Sequence, residues 1–158
     1  LWVSSTNNSE AQSLAGTMAV INEMKNKNTI SKCWDIGKEI FDGWNKITEE
    51  NNLNSKISGY PVRMYMQCYN SENKTSPELK ALILQEMVKN GIFISPSWLA
   101  VSYSHTNDDV VKTLDVLNDV CKKIQNQVKN ENYGQFLEGK MPSTVWTMKI
   151  PPTKKIQK

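Results

Sequence analysis

The sequence predicts an α+β domain: a small, mostly antiparallel sheet covered on one side by helices. Three observations lead there. Residues 62–68 alternate strictly, with Val62, Met64, Met66 and Cys68 on one face and Arg63, Tyr65 and Gln67 on the other. That is the period of a half-buried strand. Four other stretches repeat apolar residues at helical spacing. Two helices come first, and the strands that follow are joined by single helices or hairpin-length connections.

The elements follow in chain order. Ser9-Glu10-Ala11-Gln12 reads as a capping box, and Leu14, Met18, Ile21 and Met24 recur behind it as a first helix. Lys25-Asn26-Lys27-Asn28 ends it. A second helix is expected after Ser31, with Cys33, Ile36, Ile40, Phe41, Trp44 and Ile47 on one face, stopping at Asn51-Asn52. Gly37 and Gly43 weaken it unless a neighbour packs closely there. Ile57 marks a short partner strand, and Gly59-Tyr60-Pro61 is the break before the alternating strand. Asn70 to Thr75 is a polar turn.

Ser76-Pro77-Glu78 starts the third helix: a serine cap, proline at the first helical position, and an acid at the positive end of the dipole. Leu79, Leu82, Ile83 and Met87 form its stripe, and Asn90-Gly91 reads as a left-handed C-cap. Ile92-Phe93-Ile94 is expected as a short buried strand and Ala100 to Ser104 as a third strand. Thr106-Asn107-Asp108-Asp109 caps the longest helix, whose apolar residues are Val110, Val111, Leu114, Leu117, Cys121, Ile124 and Val128. From Gly134 the pattern fades. The faces of the first, third and last helices are those expected to lie on the sheet.

Composition excludes several classes. At 158 residues with 39% apolar content, the chain makes one domain with a real core. Its longest apolar runs are four residues, as at Ala81 to Leu84 and Trp98 to Val101, whereas a membrane span needs about 20. No signal-peptide pattern opens it. The net charge is +3 and dispersed, so nucleic acid is not an expected partner. Arg63 is the only arginine, beside 18 lysines and 17 asparagines.

Cys33, Cys68 and Cys121 form no CxxC pair, and the single His105 completes no metal ligand set. All three cysteines read as small buried apolar residues. Two N-x-S/T sequons, at Asn7 and Asn73, are read as chance, and the expected compartment is cytoplasmic. His105 precedes the Thr106 cap and reads as a corner residue rather than a catalytic base. No glycine-rich phosphate loop is present. Leu1 opens directly into patterned sequence, which predicts a piece of a longer polypeptide.

Two places suggest chemistry. Arg63 stands opposite the apolar strand face, and its guanidinium can grip a carboxylate or phosphate through two parallel hydrogen bonds. Ser4 to Asn8 places hydroxyls and amides just ahead of a helix N-terminus, where an anion is favoured.

Several segments together resemble class III pyridoxal-phosphate aminotransferases, in their glutamate semialdehyde aminomutase-like branch. Ser5-Thr6-Asn7-Asn8-Ser9-Glu10-Ala11-Gln12-Ser13-Leu14-Ala15 resembles the family's S-T-F-G-G-E-x-x-S-L-A. Trp34-Asp35-Ile36-Gly37-Lys38 with Asp42-Gly43-Trp44-Asn45 resembles G-x-x-L-x-x-G-L-N. Gln85-Glu86-Met87 with Gly91-Ile92 resembles Q-E-M-x-x-x-G-I, and Ser102 to Val110 resembles S-x-A-H-T-x-x-D-I. Leu137-Glu138-Gly139-Lys140 resembles the family's end.

The resemblance implies the C-terminal small domain of a fold-type I enzyme. Residues 1–30 would be the linker and helix continuing from a large domain, 31–130 the small domain, and 131–158 an extended or disordered tail. The Schiff-base lysine of such enzymes lies upstream, so no catalytic residue is expected in this chain. Ser5 and Thr6 match the motif that binds the cofactor phosphate from the partner subunit of a homodimer, although Asn7-Asn8-Ser9 replaces its F-G-G. Arg63 falls near the substrate-facing strand. The implied partners are the chain's own large domain, a second subunit, and a small amino-acid or amino-aldehyde substrate. The first helix, deprived of the large domain, is expected to be mobile or exchanged into a neighbour. The alternative reading is a non-catalytic dimerisation or regulatory module.

Overall fold

The structure, a computed structural model, describes residues 10–141. Ser9, and with it half of the expected first capping box, lies outside them. Helix α1 (Ala11–Asn26) follows Glu10 as N-cap, and Gln12 Nε2 donates to the Glu10 carboxylate at 3.5 Å. Helix α2 (Thr29–Glu50) starts two residues before Ser31, because Asn28 turns the chain through a left-handed conformation (φ 48°, ψ 40°) that asparagine tolerates. Strands β1 (Ser55–Tyr60) and β2 (Arg63–Cys68) form a hairpin closed by Pro61-Val62. Val62, expected on the strand, is thus in its turn.

Helix α3 (Pro77–Lys89), strand β3 (Leu99–Ala100) and helix α4 (Asn107–Gln127) complete the order. The sheet is antiparallel throughout, β1-β2-β3. Its architecture is the mixed α+β class predicted.

Alternation along β2 decides the layering. Met64, Met66 and Cys68 are buried with Ile57 of β1, and their neighbours Arg63, Tyr65 and Gln67 are exposed. Helices α2, α3 and α4 cover the apolar face, with Ile36, Ile40, Trp44, Leu79, Ile83, Met87, Leu117 and Ile124 in one core. The other face of the sheet carries Lys56, Ser58, Tyr60, Arg63, Tyr65 and Gln67, by the cross-strand pairing Tyr60 with Arg63 and Ser58 with Tyr65.

The helix expected on the sheet and the one found there differ. α1 buries no residue and packs against α2; Leu14, Val20 and Met18 are 57%, 57% and 61% exposed. α2 takes its place against β1. Its face is the better sorted, since Ile36, Ile40 and Trp44 fall on one side at four-residue steps.

Three further expectations are corrected. Ile92 to Ile94 is no strand: Phe93 is 84% exposed while Ile94 is buried. The cause is the end of α3, where Gly91 (φ 80°) and Ile92 donate to the carbonyls of Val88 and Met87, each at 2.9 Å. That doubly bonded cap uses the amides a strand would need. β3 stops at Ala100, because Ser102 closes a turn with His105. Val111 is exposed, one step off the stripe, and Val120 is buried.

The expected caps at Ser76 and Thr106 are present. Ser76 Oγ accepts from Leu79 N at 3.3 Å, and Thr106 and Asp109 exchange side-chain to backbone hydrogen bonds at both ends of a capping box. The backbone N–H and hydroxyl of Thr106 hold the Asp109 carboxyl below the usual carboxylate range.

Two amide side chains act as pieces of backbone. Asn45 of α2 accepts from Ile57 N at 2.8 Å and donates to Ile57 O at 3.1 Å, which pairs the outer edge of β1. Gln85 of α3 donates to Phe136 O at 3.1 Å and accepts from Glu138 N at 2.8 Å. This clamp holds a 3-10 turn at Tyr133–Phe136 against α3, within a stretch expected to be extended or disordered. Tyr133 and Leu137 pack on the core beneath it.

Both weak points of α2 are close approaches. A Cβ on Gly43 would meet Leu114 Cδ1 of α4 at 2.5 Å. A Cβ on Gly37 would meet Pro61 O at 2.2 Å, so the hairpin turn rests on bare helix backbone. Gly37→Ala must move that turn, since backbone cannot rotate away. A loss of about 1–3 kcal/mol in urea denaturation is expected, as for overpacked cores.

Glu86 is the one buried carboxylate among the described residues. Burial pushes its carboxyl up, but hydrogen bonds from Lys123 and Gln85 and the charges of Lys123 and Lys89 outweigh it and hold it below the usual range. A depressed carboxyl contributes its stability above the unfolded value of about 4.3 and loses it as pH falls through the folded one. Glu86→Gln is therefore expected to be the less stable protein near neutrality, and to lose less than the wild type on acidification below about pH 4, read as urea midpoints.

Candidate functional site

Of the predicted site residues, Ser5 and Thr6 lie outside the described residues. Arg63 is the first residue of β2, opposite Tyr60 of β1 and Ala100 of β3. It sits on the uncovered face of the sheet, beside the turn seated on Gly37. Its Cζ stands over the Trp98 ring, 4.8 Å from the centroid, and 6.0 Å from that of Tyr65. None of the ion pairs among the described residues includes it.

A guanidinium lying over a ring uses its face and keeps its rim of N–H donors free. Among the described residues, no hydrogen bond or ion pair engages the Arg63 guanidinium. Sequence alternation already put Tyr65 on its side of the strand. Trp98 carried no such signal, because only the pairing of β3 with β2 brings it there.

Other aromatic groups continue the surface. Trp34 meets Tyr60 edge-on with centroids 6.3 Å apart. Lys32 Nζ lies 4.4 Å from the Tyr103 ring centroid and donates to Tyr103 O at 3.0 Å. Ala19, Val20 and Met24 of α1, Ile30, Cys33 and Trp34 of α2, and Val62 and Tyr103 line an apolar groove of about 610 Å³.

His105 is a corner residue, as expected. Its Nδ1 lies 3.0 Å from Ser102 N, within the turn that Ser102 closes. No group of His, Cys, Asp or Glu able to hold a metal occurs among the described residues. None of their helices is long and apolar enough to cross a membrane.

Pyridoxal phosphate needs an amine for its aldehyde and donors for its phosphate. No described lysine is buried, so none fits the first requirement of a desolvated amine. The predicted phosphate contacts, Ser5 and Thr6, are not among the described residues.

Comparison with known proteins places the fold. The FumI protein of Sphingopyxis sp. MTA144, solved in its PLP internal aldimine form, matches over 80% of this chain and 30% of its own, with TM-score 0.65 and 15% identity. The β-phenylalanine aminotransferase of Variovorax paradoxus matches over 80% and 31%, with TM-score 0.66 and 15% identity. The glutamate-1-semialdehyde aminomutase of Pseudomonas aeruginosa PAO1 matches over 74% and 28%, with TM-score 0.62 and 14% identity. The chain has the fold of the C-terminal portion of PLP aminotransferases.

By sequence it is similar to glutamate-1-semialdehyde 2,1-aminomutase 1 of Staphylococcus carnosus (strain TM300). The identity is 25% over 107 residues, 59% of this chain and 24% of the aminomutase. No protein-family model matches. The chain thus spans 24–31% of the length of these relatives. Pyridoxal phosphate is the cofactor of the aminotransferases and aminomutases it resembles.

The thiols depart from the reading of all three as buried apolar groups. Cys68 and Cys121 are buried, and burial pushes the Cys121 thiol up to about 12, with the Cys68 thiol raised too. Cys33 is half-exposed in the groove. Ellman titration of the native chain is expected to count one fast thiol, abolished by Cys33→Ser, and two that react only on denaturation.

Proposed function

We propose that this chain is the small-domain portion of a PLP-dependent aminotransferase or aminomutase. The parent moves an amino group on a small amino-acid or amino-aldehyde substrate. The observation that carries this is the shared fold over 80% of the chain, joined to sequence similarity with an aminomutase. The cofactor, when bound, supplies the electron sink for amino-group chemistry.

The residues of this chain bind and position. Ser5 and Thr6 would hold the cofactor phosphate, across the subunit boundary of a homodimer. Arg63 takes the substrate's carboxylate, an office suited to its free N–H rim and lack of an acidic partner. Residues 31–130 form the small domain, and residues 1–30 lead into it from the large one. The exposed apolar face of α1 and the groove beside it dock on that large domain, which supplies the lysine that bonds the cofactor.

The isolated chain, without the large domain and its lysine, is proposed to be inactive. Incubation with pyridoxal phosphate, borohydride reduction and peptide mapping is expected to label no single lysine above the others. One lysine labelled stoichiometrically, or transaminase activity in the chain alone, would overturn the reading.

A further inference from the structure

The only arginine of the chain is held by two rings and, among the described residues, by no acid. Arg63 Cζ is 4.8 Å from the centroid of Trp98 and 6.0 Å from that of Tyr65. We infer that Trp98 is a positioning residue for Arg63, setting its guanidinium for the substrate carboxylate proposed above. The inference rests on the reading of Arg63 as a substrate contact.

The geometry argues it in three steps. Trp98 immediately precedes β3, whose Leu99 and Ala100 pair with Met64 and Arg63, so the strand register sets the indole beside the guanidinium. A ring 4.8 Å from Cζ restricts the long side chain, removing rotamers that binding would otherwise have to freeze. The rim then offers parallel donors matched to the two oxygens of a planar carboxylate.

The surroundings favour an anion. Beside Arg63 the uncovered sheet face presents Tyr60 and Tyr65, with Lys56 and Gln67 toward the far end of the hairpin, and β1 and β2 carry no carboxylate. Trp98 is 41% exposed, so its role is not that of a core side chain.

A single arginine makes the test clean, because the chain has one arginine Nε–H resonance in ¹⁵N-edited spectra. The 158-residue chain is titrated with sodium propionate, with inorganic phosphate, and with sodium chloride at matched ionic strength. Propionate is expected to shift the Arg63 resonance saturably, and Trp98 indole with it, while chloride does not. Trp98→Leu is expected to weaken propionate binding about two- to fivefold, the worth of an exposed cation–ring contact. Trp98→Phe restores it, which a merely structural role for the indole would not require. Arg63→Lys abolishes the saturable response.

The proposal is overturned by a propionate response no different from chloride, by Trp98→Leu binding as the wild type, or by phosphate binding more tightly than propionate. No cofactor enters this titration. Its failure would remove the carboxylate site alone, and a stoichiometric borohydride adduct would remove the enzyme reading while leaving the titration standing.

Discussion

The sheet of this protein buries one face, and every other feature answers to that constraint. A three-stranded sheet has too little apolar area to stand alone, so α2, α3 and α4 must lie across the side bearing Ile57, Met64, Met66 and Cys68. Burial on that side leaves Arg63, Tyr65 and Gln67 facing outward by the two-residue period of the strand. The candidate site is thus the reverse of the core. A slip of one residue along β2 would bury the arginine and expose the methionines.

Holding such a small sheet in place falls to contacts that substitute for missing strands and bulk. Asn45 pairs the free edge of β1 as a neighbouring strand would. Gly37 lets the hairpin turn rest on α2 with no side chain between. Gln85 and Glu86 tie α3 to the 3-10 turn at Tyr133–Phe136 and to α4. The same helix that covers the sheet therefore also sets the height of the turn from which Arg63 departs.

α1 stands apart from this economy. Its apolar residues repeat at helical spacing, yet none is buried, and together with α2 and the hairpin turn they form an apolar groove. The chain spans under a third of the relatives that share its fold.

Local chemistry made much of this legible in the sequence alone. The alternation of residues 62–68, the caps at Ser76 and Thr106, the glycine after Asn90 and the motifs shared with PLP aminotransferases are all short-range patterns. They determined the elements, the fold class and the side of the strand on which Arg63 lies. Only the tertiary structure decided the rest. Hydrophobic spacing says that a helix has an apolar face but not what covers it, so α1 and α2 exchanged their expected places. Backbone amides consumed at the end of α3 removed a strand that Ile92 to Ile94 seemed composed to form, and a clamp from Gln85 ordered a turn in an expected tail. Trp98 reached Arg63 through a two-residue strand pairing across 35 positions of chain, a contact set by register, which no local pattern encodes.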